Sequence, residues 1–142
     1  MNTDERKAGL DRMRAYIAQL QPLMRLQQWL IDVDDEPPRD PDRAAECIRK
    51  YRQWWARIAY SDEQLAAPPE ELRLTTIHEL LHLVTTAEYV AGREAIEGLN
   101  SIAQTWAQDR FDNEYERATD HLSRIIAPFL PLPPAEASQE GA

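Results

Sequence analysis

Two histidines and a glutamate stand at a spacing that could hold a metal ion and a base on one helix. His78 and His82 are four residues apart in the segment TTIHELLHLV, which spans positions 75–84. On an α-helix such residues lie on the same face, so both imidazoles can present a ring nitrogen to one ion. Glu79 is rotated by about 100° from His78, too far to be a third ligand but near enough to contact a metal-bound water. This HExxH spacing favours zinc-dependent hydrolysis with Glu79 as the general base.

A third zinc ligand must come from elsewhere in the chain, because catalytic zinc takes three protein ligands and keeps a fourth position for water. Glu116 is the best candidate, since Asp120 lies one turn further along the same predicted helix. The Asp120 carboxylate could accept the outer N–H of a ligating histidine and so fix its tautomer. Two alternatives stay open. Glu114 or Glu88 could be the third ligand, and Asn113 with Glu116 could form only a helix capping box.

The two segments together resemble the gluzincin branch of the zincin metallopeptidases, which carry HExxH on one helix and Glu-x-x-x-Asp on a later one. The similarity is closest to small single-domain members from bacteria and their phages, and its specific part covers about residues 72–84 and 114–123. The resemblance implies zinc ligation by His78, His82 and Glu116. It also implies hydrolysis of peptide bonds by a zinc-bound water that Glu79 activates, while Asp120 orients a histidine.

Two rival hypotheses remain beside the peptidase. The second domain and the substrate-binding segments of large gluzincins are not recognisable in this chain. One rival is therefore a zinc-stabilised regulatory or phage-encoded binding module without catalytic activity. The other is a metal-free acidic helical adaptor whose histidines are merely hydrogen-bonded. Glu79 argues for the enzyme, because a purely structural zinc site has no need of it.

Composition limits the partners and the compartment. The chain has 142 residues, 43% of them hydrophobic, which suits one domain with a real core. Its 25 acidic residues outnumber its 16 basic ones and give a formal net charge of -9, which repels nucleic acid and anionic membranes. Cys47 is the only cysteine, so no internal disulfide can form. With no secretion-signal pattern or membrane-spanning run, we expect a cytoplasmic protein.

The apolar pattern predicts an α+β fold, a minimal zincin fold in which a small, mostly antiparallel sheet packs on helices that include the HExxH helix. Residues 1–130 form the single domain, and the Pro-rich residues 131–142 form a tail that we expect to be disordered. Periodicity predicts helices at 4–20, 40–51, 70–91 and 113–126, and strands at 28–33 and 54–60.

A peptide or protein substrate could pair along the predicted strand near Trp54 to Tyr60, if that strand lies at the edge of the sheet. Such main-chain pairing would present the scissile carbonyl to the metal. It gives little sequence preference, so specificity must come from side-chain pockets. The oligomeric state does not follow from the sequence.

Overall fold

A three-stranded sheet lies behind the helix that carries the HExxH residues. In the computed structural model, which describes residues 1–135, its strands are β1 (Leu30–Val33), β2 (Ala45–Lys50) and β3 (Trp55–Tyr60), in the order β1-β3-β2. β1 runs parallel to β3, whereas β2 runs antiparallel to it. With one pair of each kind, the sheet is mixed and not mostly antiparallel. The strands predicted at 28–33 and 54–60 are confirmed as β1 and β3.

β3 is the central strand, so the prediction that residues 54–60 form an edge for substrate pairing is wrong. Ile58 illustrates the arrangement, because it lies opposite Val33 of β1 on one side and opposite Cys47 of β2 on the other. The backbone N–H and C=O groups of a central strand are used by its two neighbours and cannot bind a further chain. The edges of the sheet are β1 and β2, and β2 is the edge that contacts the HExxH helix.

The helix predicted at 40–51 is also wrong, because this segment contains β2. Its alanines, Glu46 and Lys50 are typical of helices, and Asp40 followed by Pro41 resembles a helix start. Such local preferences are small, and tertiary contacts routinely override them. Here the antiparallel pairing with β3 decides the conformation.

Five α-helices complete the fold in residues 1–135. They are α1 (Thr3–Leu23), α2 (Asp62–Leu65), α3 (Pro69–Val84), α4 (Thr86–Glu97) and α5 (Ser101–Ile126). The helix predicted at 70–91 is divided between α3 and α4 at Thr85, whose hydroxyl donates to the Leu81 carbonyl at 2.8 Å. Helix α5 is nearly twice as long as the predicted 113–126 and begins after Asn100, which caps it by accepting a 3.1 Å hydrogen bond from the Ala103 N–H. The compact α+β class is confirmed.

Helix α3 is central and is fixed by contacts on several sides. Leu72, Ile77 and Leu80 have no exposed surface, as expected for a helix that is apolar over most of its circumference. The Tyr60 hydroxyl of β3 lies 3.1 Å from the Thr76 hydroxyl of α3, a buried link between sheet and helix. Contacts with β2 and α5 flank the same helix. The HExxH residues therefore stand on a rigid support.

The residues after α5 pack against α1 as far as the structure describes them. The Tyr16 hydroxyl donates to the Pro131 carbonyl at 2.7 Å, and Arg12 Nε donates to the Pro134 carbonyl at 2.7 Å. The first part of the predicted 131–142 tail thus belongs to the packed domain, while 136–142 lies outside the described residues. Within residues 1–135, every helix is too short or too polar to cross a bilayer.

Candidate metal centre

The HExxH residues line a cleft of about 310 Å³ between α3, α5 and the β2 edge. We call it the metal cleft and define it by the residues Arg49, Cys47, His78, Glu79, His82 and Glu116. The two imidazoles point toward each other across one turn of α3, with Nε2 of His78 3.1 Å from Nε2 of His82. Their rings meet edge to face, with centroids 4.8 Å apart. Both histidines therefore offer the same ring nitrogen to a common point.

Glu116 approaches this point from α5. Its carboxylate oxygens lie 3.4 Å from His78 Nε2 and 3.6 Å from His82 Nε2. Within residues 1–135, these three side chains form the one group whose possible metal-ligand atoms all lie within 4.8 Å of one another. The alternatives lie elsewhere: Glu114 forms an ion pair with Arg117 at 3.2 Å, and Glu88 is exposed outside the cleft.

The donor set fits a zinc ion. Two imidazole nitrogens and one carboxylate oxygen are a known ligand set of catalytic zinc, whereas calcium and magnesium prefer oxygen ligands alone. The 3.1 Å between the two Nε2 atoms is close to the spacing of neighbouring ligands about 2 Å from one ion. The three donors line a cavity of about 310 Å³, which has room for water beside an ion.

Asp120 contacts the other nitrogen of a candidate ligand. Its carboxylate oxygen lies 3.0 Å from Nδ1 of His78, as the spacing of one turn from Glu116 predicts. A carboxylate at Nδ1 holds the proton there and leaves the Nε2 lone pair free for a metal. Burial lowers the pKa of His78, but the hydrogen bond with Glu116 and the charges of Glu79 and Asp120 outweigh burial, so that the pKa is raised. The same hydrogen bond lowers the pKa of Glu116.

His82 lies deeper in the cleft, at 7% exposure. Burial lowers its pKa to about 4, so the imidazole is neutral at physiological pH and its Nε2 can act as a ligand. The ring of Tyr115 stacks on it with centroids 5.6 Å apart, and the Tyr115 hydroxyl lies 2.6 Å from that of Thr85. Tyr115 therefore holds the His82 ring in place from α5.

Glu79 is a buried carboxyl between α3 and β2, with 7% of its surface exposed. Burial raises its pKa to about 7, although the charge of His78 and a backbone hydrogen bond from Cys47 lower it. A carboxyl that titrates near neutrality can both accept and release a proton at physiological pH, as a general base must. The burial of Glu79 thus gives it a pKa suited to the predicted role of general base.

The pKa of Glu79 predicts a pH effect on the stability of the metal-free protein. In the unfolded chain this carboxyl loses its proton near pH 4.5, whereas in the folded protein it keeps the proton up to about pH 7. Its stabilising contribution is therefore complete below pH 4.5 and is lost as the pH rises through 7. Glu79→Gln removes this titration, so the variant should gain up to about 3 kcal/mol in unfolding free energy relative to wild type over that interval.

The comparison with wild type is needed because His82 acts in the opposite direction. Its lowered pKa makes it destabilise the fold as the pH falls from 6.5 to about 4, in both proteins alike. Urea unfolding of both proteins with a chelator, at several pH values from 4 to 8, measures the contribution of Glu79 together with its charge interaction with His78. A difference in unfolding free energy that does not change with pH would mean that Glu79 titrates normally.

Several residues of the cleft region were not predicted from the sequence, among them Arg43, Arg49 and Tyr115. Arg43 and Arg49 were hidden by the wrong helix at 40–51, whereas a period of two would have placed them on one strand face with Cys47. Tyr115 directly precedes Glu116 on α5, and only its position next to a candidate ligand could have indicated that it lies in the cleft. The guanidinium of Arg49 lies over the ring of Tyr89, 4.7 Å from its centroid.

Comparisons of the chain with protein-family models, with curated proteins and with solved structures find no match. The strongest observation is that side chains separated by more than thirty positions, His82 and Glu116, meet at one point.

Proposed function

We propose that the protein is a zinc-dependent metallopeptidase of the zincin kind, which hydrolyses peptide bonds in a peptide or protein substrate. The observation that carries this proposal is the convergence of His78, His82 and Glu116 within 4.8 Å beside the buried carboxyl of Glu79. The three converging side chains are the ligands, and Glu79 is the catalytic base. We further propose a cytoplasmic location in a bacterial or phage context, in keeping with the single free Cys47.

The residues of the cleft have different roles in the proposed reaction. Zinc held by His78, His82 and Glu116 would lower the pKa of a coordinated water and polarise the scissile carbonyl. Glu79 takes a proton from the attacking water and passes it to the amine that leaves when the C–N bond breaks. Asp120 contributes indirectly by holding the Nδ1 proton of His78.

The free edge of β2 is the best place for the substrate backbone. The Ser61 N–H donates to the Ala44 carbonyl, so this pair faces inward and the alternate residues 45, 47 and 49 direct their backbone groups away from β3. The Cys47 backbone N–H faces the Glu79 carboxyl and lowers its pKa, although burial raises that pKa overall. A peptide added as a further strand would therefore use the backbone groups of Ala45 and Arg49, on either side of the proposed base.

The test combines metal analysis with a cleavage assay on purified protein. We expect about one equivalent of zinc, in line with a three-ligand site, and cleavage of a degenerate peptide library that a chelator stops and added zinc restores. Mass spectrometry of the library identifies the products. If the purified protein does not bind zinc, the proposed function is wrong.

Zinc binding without any cleavage would instead favour the alternative, a zinc-stabilised regulatory or phage-encoded binding module. One observation is compatible with that alternative: Glu116 belongs to α5 and the histidines to α3, so an ion would connect two helices. The unfolding temperature with and without zinc measures this connection. It would rise under both hypotheses, and only cleavage distinguishes them.

A further inference from the structure

A row of cleft-facing side chains at a period of two begins just before β2 and continues along it: Arg43, Ala45, Cys47 and Arg49. All four line the cavities beside the HExxH residues. The row therefore brings two cations to the cleft of a protein whose net charge is -9. Both flank the proposed catalytic residues, but their surroundings differ.

Arg43 already has an acidic neighbour and lies in solvent. Its Nε is 3.7 Å from a carboxylate oxygen of Asp40, and its side chain is 60% exposed. An exposed pair of this kind contributes little energy and leaves the arginine mobile. Arg43 is therefore a poor candidate for specific recognition.

Arg49 is half-buried and held in place, with its guanidinium 4.7 Å from the centre of the Tyr89 ring. Within residues 1–135, no carboxylate lies within ion-pair distance of it. The nearby acid of the cleft wall, Asp112, is occupied by Arg93 at 3.1 Å and by Gln108 at 2.9 Å. Stacking on a ring orients the guanidinium and leaves its N–H donors available.

The charge of Arg49 influences the pKa of several neighbouring side chains in the cleft. Burial is the main influence on the pKa of Cys47, Tyr89, Tyr115 and His82, which lie on four different elements, and the charge of Arg49 acts to lower the pKa of each. A partly desolvated cation that lacks an acidic partner is costly unless a ligand supplies one. Arg49, on the edge strand beside the proposed metal ligands, can therefore bind an anion.

We propose that Arg49 binds a carboxylate of the substrate, so that the enzyme cuts peptide bonds close to an acidic side chain or to a free C terminus. This inference rests on the peptidase function proposed above. The Cα of Arg49 is about 7 Å along the strand from that of Cys47, which contacts Glu79. A substrate strand on β2 thus brings a side chain to Arg49 within about two residues of the scissile bond. The guanidinium fork matches a carboxylate with two parallel hydrogen bonds.

The test uses the zinc-loaded full chain and one degenerate peptide library, prepared once with free and once with amidated C termini. We expect Asp and Glu to be enriched about 10-fold at one position near the cut, or cleavage near free C termini that amidation abolishes. The first result identifies a side-chain carboxylate and the second a terminal one. Arg49→Gln should reduce either preference to the background level, whereas the matched control Arg43→Gln should retain it.

The outcomes separate this inference from the proposed function. Cleavage by wild type with neither preference, or a preference that survives in Arg49→Gln, overturns the role of Arg49 and leaves the peptidase intact. No cleavage by zinc-loaded wild type overturns the peptidase and this inference with it. Should Arg49→Gln be inactive, Arg49→Lys, which keeps the charge, is expected to cleave with a weakened acidic preference. Inactivity of both variants with zinc still bound would mean that Arg49 serves the reaction itself, against the inference.

Discussion

Glu79→Gln should abolish peptide cleavage and leave the zinc content unchanged. The amide has nearly the shape of the carboxylate but cannot accept the proton of the attacking water, and general-base catalysis contributes roughly 100-fold to 10,000-fold to such rates. Zinc binding should persist because Glu79 is not one of the three converging donors. Initial rates on one cleaved library peptide, with metal analysis of the same preparation, measure both effects.

Glu71→Gln is the matched control for this variant. Glu71 lies on the same helix, but it is exposed in the first turn and outside the metal cleft. We expect its cleavage rate to equal that of wild type. Full cleavage by Glu79→Gln would rule out Glu79 as the base. Loss of zinc together with activity would point instead to a collapsed site.

Glu116→Ala should lose most of its zinc. The Glu116 carboxylate is the only candidate donor from α5, and no other described carboxylate lies within the 4.8 Å cluster. Removing one of three protein ligands should weaken binding by on the order of 100-fold or more, given the roughly 10–16 kcal/mol that a complete structural zinc site provides. Competition with a chromophoric chelator at neutral pH measures the affinity of each protein.

Glu114→Ala provides the comparison for Glu116→Ala. Glu114 is two positions earlier on α5 and pairs with Arg117 in solvent, so its removal should leave zinc affinity within about 2-fold of wild type. Reversed results, with zinc lost only from the Glu114 variant, would revive the alternative ligand. Unchanged affinity in both variants would show that the third ligand lies elsewhere.

The local part of the site could be predicted from the sequence. The spacing of His78 and His82 determines that they share a helix face, and the structure shows their Nε2 atoms 3.1 Å apart. The one-turn spacing of Glu116 and Asp120 likewise predicts a common face, and both contact His78. These relations follow from helix geometry alone, which depends only on neighbours in the chain.

The sheet could be predicted only in part. Apolar residues recur at a period of two in β1 and β3, at Ile31 and Val33 and at Ala56, Ile58 and Tyr60, whereas β2 consists largely of residues that favour helices. Its strand conformation arises from pairing with β3, and the position of β3 between β1 and β2 is equally non-local. No window of a few residues contains this information. Arg49 and Tyr115 were missed for the same reason, because their roles depend on which elements lie opposite them.

The position of β2 at the rim of the sheet has a thermodynamic consequence. A peptide docked there would complete a fourth strand, so that the ligand would become part of the architecture for as long as it stays bound. Because such a peptide binds the folded chain and not the unfolded one, it would raise the midpoint of thermal denaturation by an amount that grows with its free concentration relative to its Kd. Melting curves could therefore report ligand capture even for a variant that performs no chemistry.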